Sequence, residues 1–187
     1  LCPEFRASYR NLCACCGCKG PDALLPFLGK EEPGEGMDRL ERLEAIEEIR
    51  NLKARYFRLM DTKQWADLAA VFTADMKVVT PDGRTWLTGA AAYAQSLKSS
   101  LENAVSCHQG LTGELDVHDE QNASGIWAMQ DVIVWETAHP REGWKSILGR
   151  GHYHETYRFE DGAWRIATLT LTRLSLDIEW PEGKTLQ

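Results

Sequence analysis

Beyond its first 18 residues the chain carries one cysteine, Cys107. A disulfide-stapled secreted domain spreads its cysteines through its body, so this is not that class. Long apolar runs are missing as well. Nothing approaches the roughly 20 residues of a membrane-spanning helix. The Ala23–Leu28 stretch is too short and too proline-broken for a signal-peptide core, and no small-residue cleavage pattern follows it. Excess positive charge is absent too. The formal net charge is −7, and Lys and Arg stand singly rather than in stripes. A phosphate backbone needs a basic patch, so neither nucleic acid nor a membrane is expected as a partner. No internal repeat is visible. The default expectation is a cytoplasmic protein.

What is present suits one domain with a real core and some excess chain. Of 187 residues, 43% are hydrophobic and 26% charged, ordinary proportions for a globular protein. Seven tryptophans are many for this length, and aromatic walls suit a pocket for a ring-shaped ligand. Residues 1–36 read as a Cys-rich extension or linker: they hold Cys2, Cys13, Cys15, Cys16 and Cys18, several prolines and a Gly/Glu/Pro tract ending at Gly36. The cysteine cluster could grip a soft metal, but a zinc site draws a second ligand pair from farther along, and none is visible. No metal and no cofactor are expected.

From Asp38 the apolar positions Leu40, Leu43, Ile46, Ile49, Leu52, Tyr56 and Leu59/Met60 recur every three to four residues, which predicts an amphipathic helix. A second helix is expected from about Gln64 to Phe72, a strand from Asp75 to Thr80, a Pro81–Asp82–Gly83 turn, and a strand from Arg84 to Leu87. Thr88 is placed to cap a third helix, Gly89 to Lys98. The period then changes to two. Strands are expected over Leu111–His118, Ser124–Glu136, Lys145–Glu160 and Ala163–Leu174, the last two joined by a tight Asp161–Gly162 hairpin. Helices first and long strands after give an α+β fold, with the N-terminal helices packed on a strongly curved, mostly antiparallel sheet that forms a cone with an internal pocket. The domain is expected over 37–177, with a C-terminal tail over 178–187.

Several residues in this frame could carry chemistry. Trp127, Met129, Asp131, Ile133 and Trp135 share one strand face, so Asp131 points where the tryptophans point. A lone carboxylate there needs a partner or a role. Tyr153 and Glu155 fall on the inner face of the next strand, His152 and His154 on the outer face or at a subunit contact. Arg173 sits among leucines and invites an ion pair across the sheet. Tyr56 lies on the helix stripe. Asp61, with Gln64 three residues on, fits a capping box for the second helix; its functional reading requires the carboxylate to turn inward. Strict alternation back from Leu111 puts His108 on the polar face, although Gly110 is a natural place for register to break.

The segment Ile46–Asp61, followed by Trp65–Phe72, resembles the opening of a SnoaL-like domain of the nuclear transport factor 2-like superfamily. Gly151–Ile166 resembles the closing hairpin of such domains. The catalytic pattern is nearest to the branch of bile-acid 7α-dehydratase, scytalone dehydratase and hexachlorocyclohexane dehydrochlorinase. That resemblance implies an acid–imidazole dyad of Asp61 and His108, with Tyr56, Asp131 and Arg173 at matching places; ketosteroid isomerases share the fold but place their acids differently. The function it implies is a cofactor-independent lyase, dehydratase-like, or a related proton-transfer enzyme. Its substrate would be a small hydrophobic ring compound, held by Trp127, Met129, Trp135, Tyr153, Glu155 and Arg173. A homo-dimer or homo-trimer is also implied. The alternative, a non-catalytic binding or oligomerisation module of the same fold, stays open.

Overall fold

In the computed structural model, which describes residues 37–181, the first helix α1 spans Arg39–Asp61. Its start is a reciprocal cap. The Asp38 carboxylate accepts from the amides of Leu40 and Glu41, and the Glu41 carboxylate accepts from the Asp38 amide at 2.8 Å. Its buried stripe is Ala45, Ile49, Leu52, Lys53, Tyr56, Phe57, Leu59 and Met60. Its end is a left-handed residue: Lys63 has φ 61°, its amide bonds the Met60 carbonyl, and the Gln64 amide reaches back to Leu59. This closing pattern satisfies the last carbonyls of a helix and is ordinarily built with glycine.

The second helix is shorter than the sequence suggests. α2 is only Trp65–Leu68, followed by a 3₁₀ turn over Ala69–Val71, and Phe72 already opens the strand β1, Phe72–Val79. Val71, Phe72 and Thr73 are buried together, and burial of β-favouring side chains overrides the apolar helical spacing. β2 (Thr85–Thr88) returns antiparallel to β1, and α3 is Ala90–Leu101. Thr88 ends β2 rather than capping α3; the cap position is Gly89, at φ 101° with no side-chain bond.

Four long strands follow: β3 (Ala104–Val117), β4 (Asn122–Trp135), β5 (Ser146–Glu160) and β6 (Ala163–Glu179). β3 thus begins seven residues before the expected Leu111, and β6 continues past the expected Leu174 into the expected tail. The Cys-rich segment 1–36 and residues 182–187 lie outside the described residues. The sheet order is β2-β1-β6-β5-β4-β3, antiparallel throughout except that β1 runs parallel to β6. The sheet is open, and the helices cover its inner face to give the cone-like α+β fold. Among the described residues no helix is long and apolar enough to cross a membrane.

One irregularity decides which side chains face inward. Between Gly110 and Gly113, β3 advances three residues while its partner β4 advances two, from Met129 to Trp127. The extra residue is a bulge, and it inverts the alternation. Before it, Ala104, Ser106 and His108 point inward; after it, Leu115 and Val117 do.

Candidate active site

Asp61 is the last residue of α1, and the bulge in β3 swings two side chains toward it. Its Oδ1 accepts from His108 Nδ1 at 2.6 Å and from Ser106 Oγ at 2.8 Å, while Oδ2 accepts from the His108 backbone amide at 2.8 Å. Ser106 and His108 are two apart on one strand, so both reach the same carboxylate. Asp61 makes no capping box with Gln64; Gln64 precedes α2 without a side-chain cap bond and donates instead to Thr62. Burial alone would push the Asp61 carboxyl up. The bonds from the His108 ring, the His108 amide and Ser106 outweigh it and hold the group below its usual range. An ionised carboxylate on Nδ1 fixes the neutral imidazole with its proton on that nitrogen, which leaves the lone pair on Nε2.

The His108 ring is buried and lies parallel to Phe57, with centroids 6.4 Å apart and planes 8° apart. Gly110 makes this possible, since a Cβ there would stand 2.6 Å from the Phe57 ring. Phe57 in turn contacts Tyr56 and Tyr153, with ring centroids at 5.2 and 5.9 Å.

Directly across the strand pair from His108 stands Asp131. Its two oxygens accept from Arg173 Nη1 and Nη2 at 2.9 and 2.8 Å, a bidentate pair that answers the question of the lone buried acid. Gly149 creates the room, because a Cβ there would collide with Arg173 Nη1 and Asp131 Oδ1. The Tyr56 hydroxyl lies 3.3 Å from that of Tyr93. Burial pushes the Tyr56 and Tyr153 phenols well up, and Tyr93 up to about 12, so all three keep their protons at neutral pH.

The remaining expected residues are distributed differently. Glu155 is fully paired with Lys53 of α1, Nζ to Oε1 at 2.5 Å, and also accepts from Tyr157 at 2.6 Å; Tyr157 accepts from Trp127 Nε1 at 2.7 Å. The Lys53 ammonium is walled by the rings of Tyr153, Phe57 and Tyr56, the nearest centroid at 3.8 Å. Burial lowers its pKa more than Glu155 raises it. Trp135 sits elsewhere, donating to the Ser100 carbonyl and packing edge-on against His139. Trp127, Met129, Tyr153 and Glu155 are each 5% exposed or less. His154 faces outward and lines a recess of about 610 Å³ on the other side of the sheet with Ser124, Ile126, Thr168 and Thr170.

The structure therefore brings Asp61 to His108 and Asp131 to Arg173, side by side on the inner face, with Tyr56 and Tyr153 near them through Phe57. Sequence reasoning passed over Lys53, Phe57, Lys63, Tyr93 and Ser106. Lys53 was detectable, for it lies four residues from both Ile49 and Phe57 on the apolar stripe of α1, where a charge needs a buried partner.

Residues 41–170 match the family described as the SnoaL-like domain. The chain belongs to that family. Among curated proteins it is 26% identical over 166 residues to the methanesulfonate monooxygenase hydroxylase subunit beta of Methylosulfonomonas methylovora, which covers 78% of this chain and 92% of that protein. Among solved structures, hexachlorocyclohexane dehydrochlorinase LinA-type3 from Novosphingobium barchaimii matches with a TM-score of 0.62 at 20% identity, over 80% of this chain and 99% of the other. A scytalone dehydratase-like protein from Novosphingobium aromaticivorans matches with a TM-score of 0.61 at 19% identity, over 77% and 97%. At such identities the structural likeness establishes the nuclear transport factor 2-like fold and nothing finer.

In this SnoaL-like domain the acid, the imidazole and the bidentate pair are held by three different parts of the chain, α1, β3 and the β4–β6 layer. Fixed donors and acceptors of this kind can take a proton from carbon and stabilise the charge that develops.

Proposed function

We propose that this SnoaL-like domain is a cofactor-independent lyase, or a related proton-transfer enzyme, acting on a small hydrophobic ring compound. One observation carries the reading: His108 Nδ1 lies 2.6 Å from the Asp61 carboxylate, an arrangement that supports a proton on Nδ1 and a free lone pair on Nε2 to serve as the base. Asp61 fixes the tautomer and stabilises the imidazolium formed when Nε2 takes a proton from carbon. Tyr56, with its proton retained, donates to the leaving hydroxyl or developing oxyanion. Asp131, clamped by Arg173, orients the substrate's polar edge next to His108. Met129 and Tyr153 supply apolar wall, with Trp127 and Glu155 supporting that wall from behind, while Trp135 lies outside it. A hexachlorocyclohexane dehydrochlorinase and a scytalone dehydratase-like protein among the fold relatives are in keeping with elimination chemistry on rings.

The test is a screen of cyclic compounds that carry a hydroxyl or halide β to an acidic C–H. Water or halide release and deuterium uptake from D₂O are both followed. His108→Ala should lose about 10²–10⁴-fold in rate, the usual contribution of a positioned acid–base group. A His108→Ala protein that matches the parent on a true substrate sinks the mechanism.

A second reading has its own support. The expected wall residues are packed at 5% exposure or less, and the curated relative is one subunit of a monooxygenase hydroxylase. On this reading the domain is a non-catalytic oligomerisation or ligand-binding module. It predicts intact partner or ligand binding in the His108→Ala protein and no turnover of any compound in the screen.

A further inference from the structure

Lys63 stands at the one position of α1's closing turn where glycine is the ordinary choice. Its φ is 61°, with the Lys63 amide on Met60 and the Gln64 amide on Leu59. A side chain there strains the backbone, and strain that persists invites the question of what the side chain does. The Lys63 side chain runs back from the helix end to β3. Its ammonium donates to Ser106 Oγ at 2.8 Å and lies over the Trp65 ring. Ser106 is the residue whose hydroxyl donates to Asp61 Oδ1.

The polarity of this chain follows from chemistry. An ammonium can only donate, so Ser106 must accept from it, and the serine's own hydrogen is left for a different acceptor. The acceptor within reach is Asp61 Oδ1, the oxygen that also takes the His108 Nδ1 proton. With Oδ2 held by the His108 amide, three donors converge on the carboxylate, and each of these bonds favours its ionised form.

We infer that Lys63 and Ser106 are positioning residues of the Asp61–His108 pair: Lys63 orients the Ser106 hydroxyl, and Ser106 keeps the Asp61 carboxylate ionised and turned toward Nδ1. The inference rests on the proposed role of that pair. The charged groups around the arm are Asp61 and Glu102, the latter accepting from Trp65 Nε1, and the titratable His108 ring lies beyond Asp61. Burial lowers the Lys63 ammonium below its usual range, with Asp61 and Glu102 pulling the other way. The arm is half-buried, with its ammonium held at Ser106.

The experiment follows the Asp61 side-chain carboxyl by ¹³C NMR against pH in the free protein, with the ¹⁵N shifts of His108 as the tautomer readout. Ser106→Ala should titrate higher than the parent by about one pH unit, the size of one hydrogen bond to a charged group. Ser106→Thr, which keeps the hydroxyl, should restore the parent curve. Lys63→Gly is the discriminating variant. Glycine suits the left-handed backbone, so the protein should melt at or above the parent temperature. Its Asp61 carboxyl should nevertheless titrate higher, and Lys63→Arg should bring it back. Unshifted carboxyl curves in both Ser106→Ala and Lys63→Gly overturn the inference. So does a Lys63→Gly protein that melts lower with its carboxyl unmoved, because Lys63 then serves only the fold. No substrate enters these measurements, so an empty substrate screen leaves their outcome intact, and an unmoved carboxyl leaves the screen intact.

Discussion

At the scale of the residue, three inward carboxylates, Asp61, Asp131 and Glu155, each accept more than one hydrogen bond. Asp61 is the clearest case: it accepts three, and its charge is what the imidazole needs. Asp61→Asn keeps the shape and removes the charge. On a true substrate we expect it to lose about 10²–10⁴-fold in rate, as for other proton-transfer groups. The same group contributes to stability with a definite sign. Its folded carboxyl titrates below the unfolded one, so its contribution is present above the unfolded value and is lost as pH falls through the folded value. Urea midpoints measured from pH 7 down to 3 should therefore fall more steeply for the parent than for Asp61→Asn; parallel curves would contradict the bonding described here. Gly149 makes the complementary point about space. Its missing side chain is the seat of the Arg173–Asp131 pair, so Gly149→Ala must push the guanidinium aside. Overpacking of this kind costs roughly 1–3 kcal/mol. Urea unfolding checks it, and a variant as stable as the parent would mean the pair can move without cost.

At the scale of the element, the loop between β4 and β5 is built around one neutral histidine. His139 Nδ1 accepts the amides of Arg141 and Glu142 at 3.2 and 2.9 Å, and its ring lies between Trp135 and Trp144. Burial depresses its pKa, the Arg141 charge adds to this, and Glu142 opposes it. A base whose folded pKa lies below its unfolded one is neutral in both states at high pH. As pH falls below the unfolded value, near 6.5, the unfolded chain binds the proton first and the loop loses stability. Tryptophan fluorescence should thus change between pH 7 and 5 in the parent and stay flat in His139→Ala. A flat parent profile would refute this account. The elements also show what the chain reveals before it folds. α1, the β5–β6 hairpin and the inward face of β4 follow from period and turn chemistry, because each is set by neighbours close in sequence. The parallel pairing of β1 with β6 depends on residues about ninety positions apart, which no local pattern encodes. His108 is the sharpest example. Alternation from Leu111 sends it outward, and a single extra residue between Gly110 and Gly113 sends it inward. The family resemblance singled out Asp61 and His108, yet only the bulge explains how they meet. Lys63 and Ser106 had no signal of their own, since one is a helix-closing residue and the other an unremarkable strand serine.

At the scale of the whole molecule, a buried ion pair bridges the first helix and the fifth strand. Lys53 and Glu155 are 102 positions apart, both side chains are 2% exposed or less, and both charges depend on each other. Removing Lys53 leaves the Glu155 charge buried without its counter-ion, a loss that costs about 3–5 kcal/mol in comparable cases. Lys53→Met should therefore be among the most destabilising single changes in the domain. The pair's net worth is a different matter, because taking two charges out of water consumes much of their attraction. The double variant Lys53→Met/Glu155→Gln removes both charges while keeping an acceptor for the Tyr157 hydroxyl, which donates to Glu155 at 2.6 Å. We expect it to regain at least half of the stability lost by Lys53→Met alone, read from urea midpoints at pH 7. If the double variant is as unstable as the single one, α1 is held to the sheet by the attraction itself rather than by the apolar and aromatic packing around it. In that case the placement of Phe57 against His108, one turn along the same helix, would depend on Lys53, and losing Lys53 would disturb the candidate site from within.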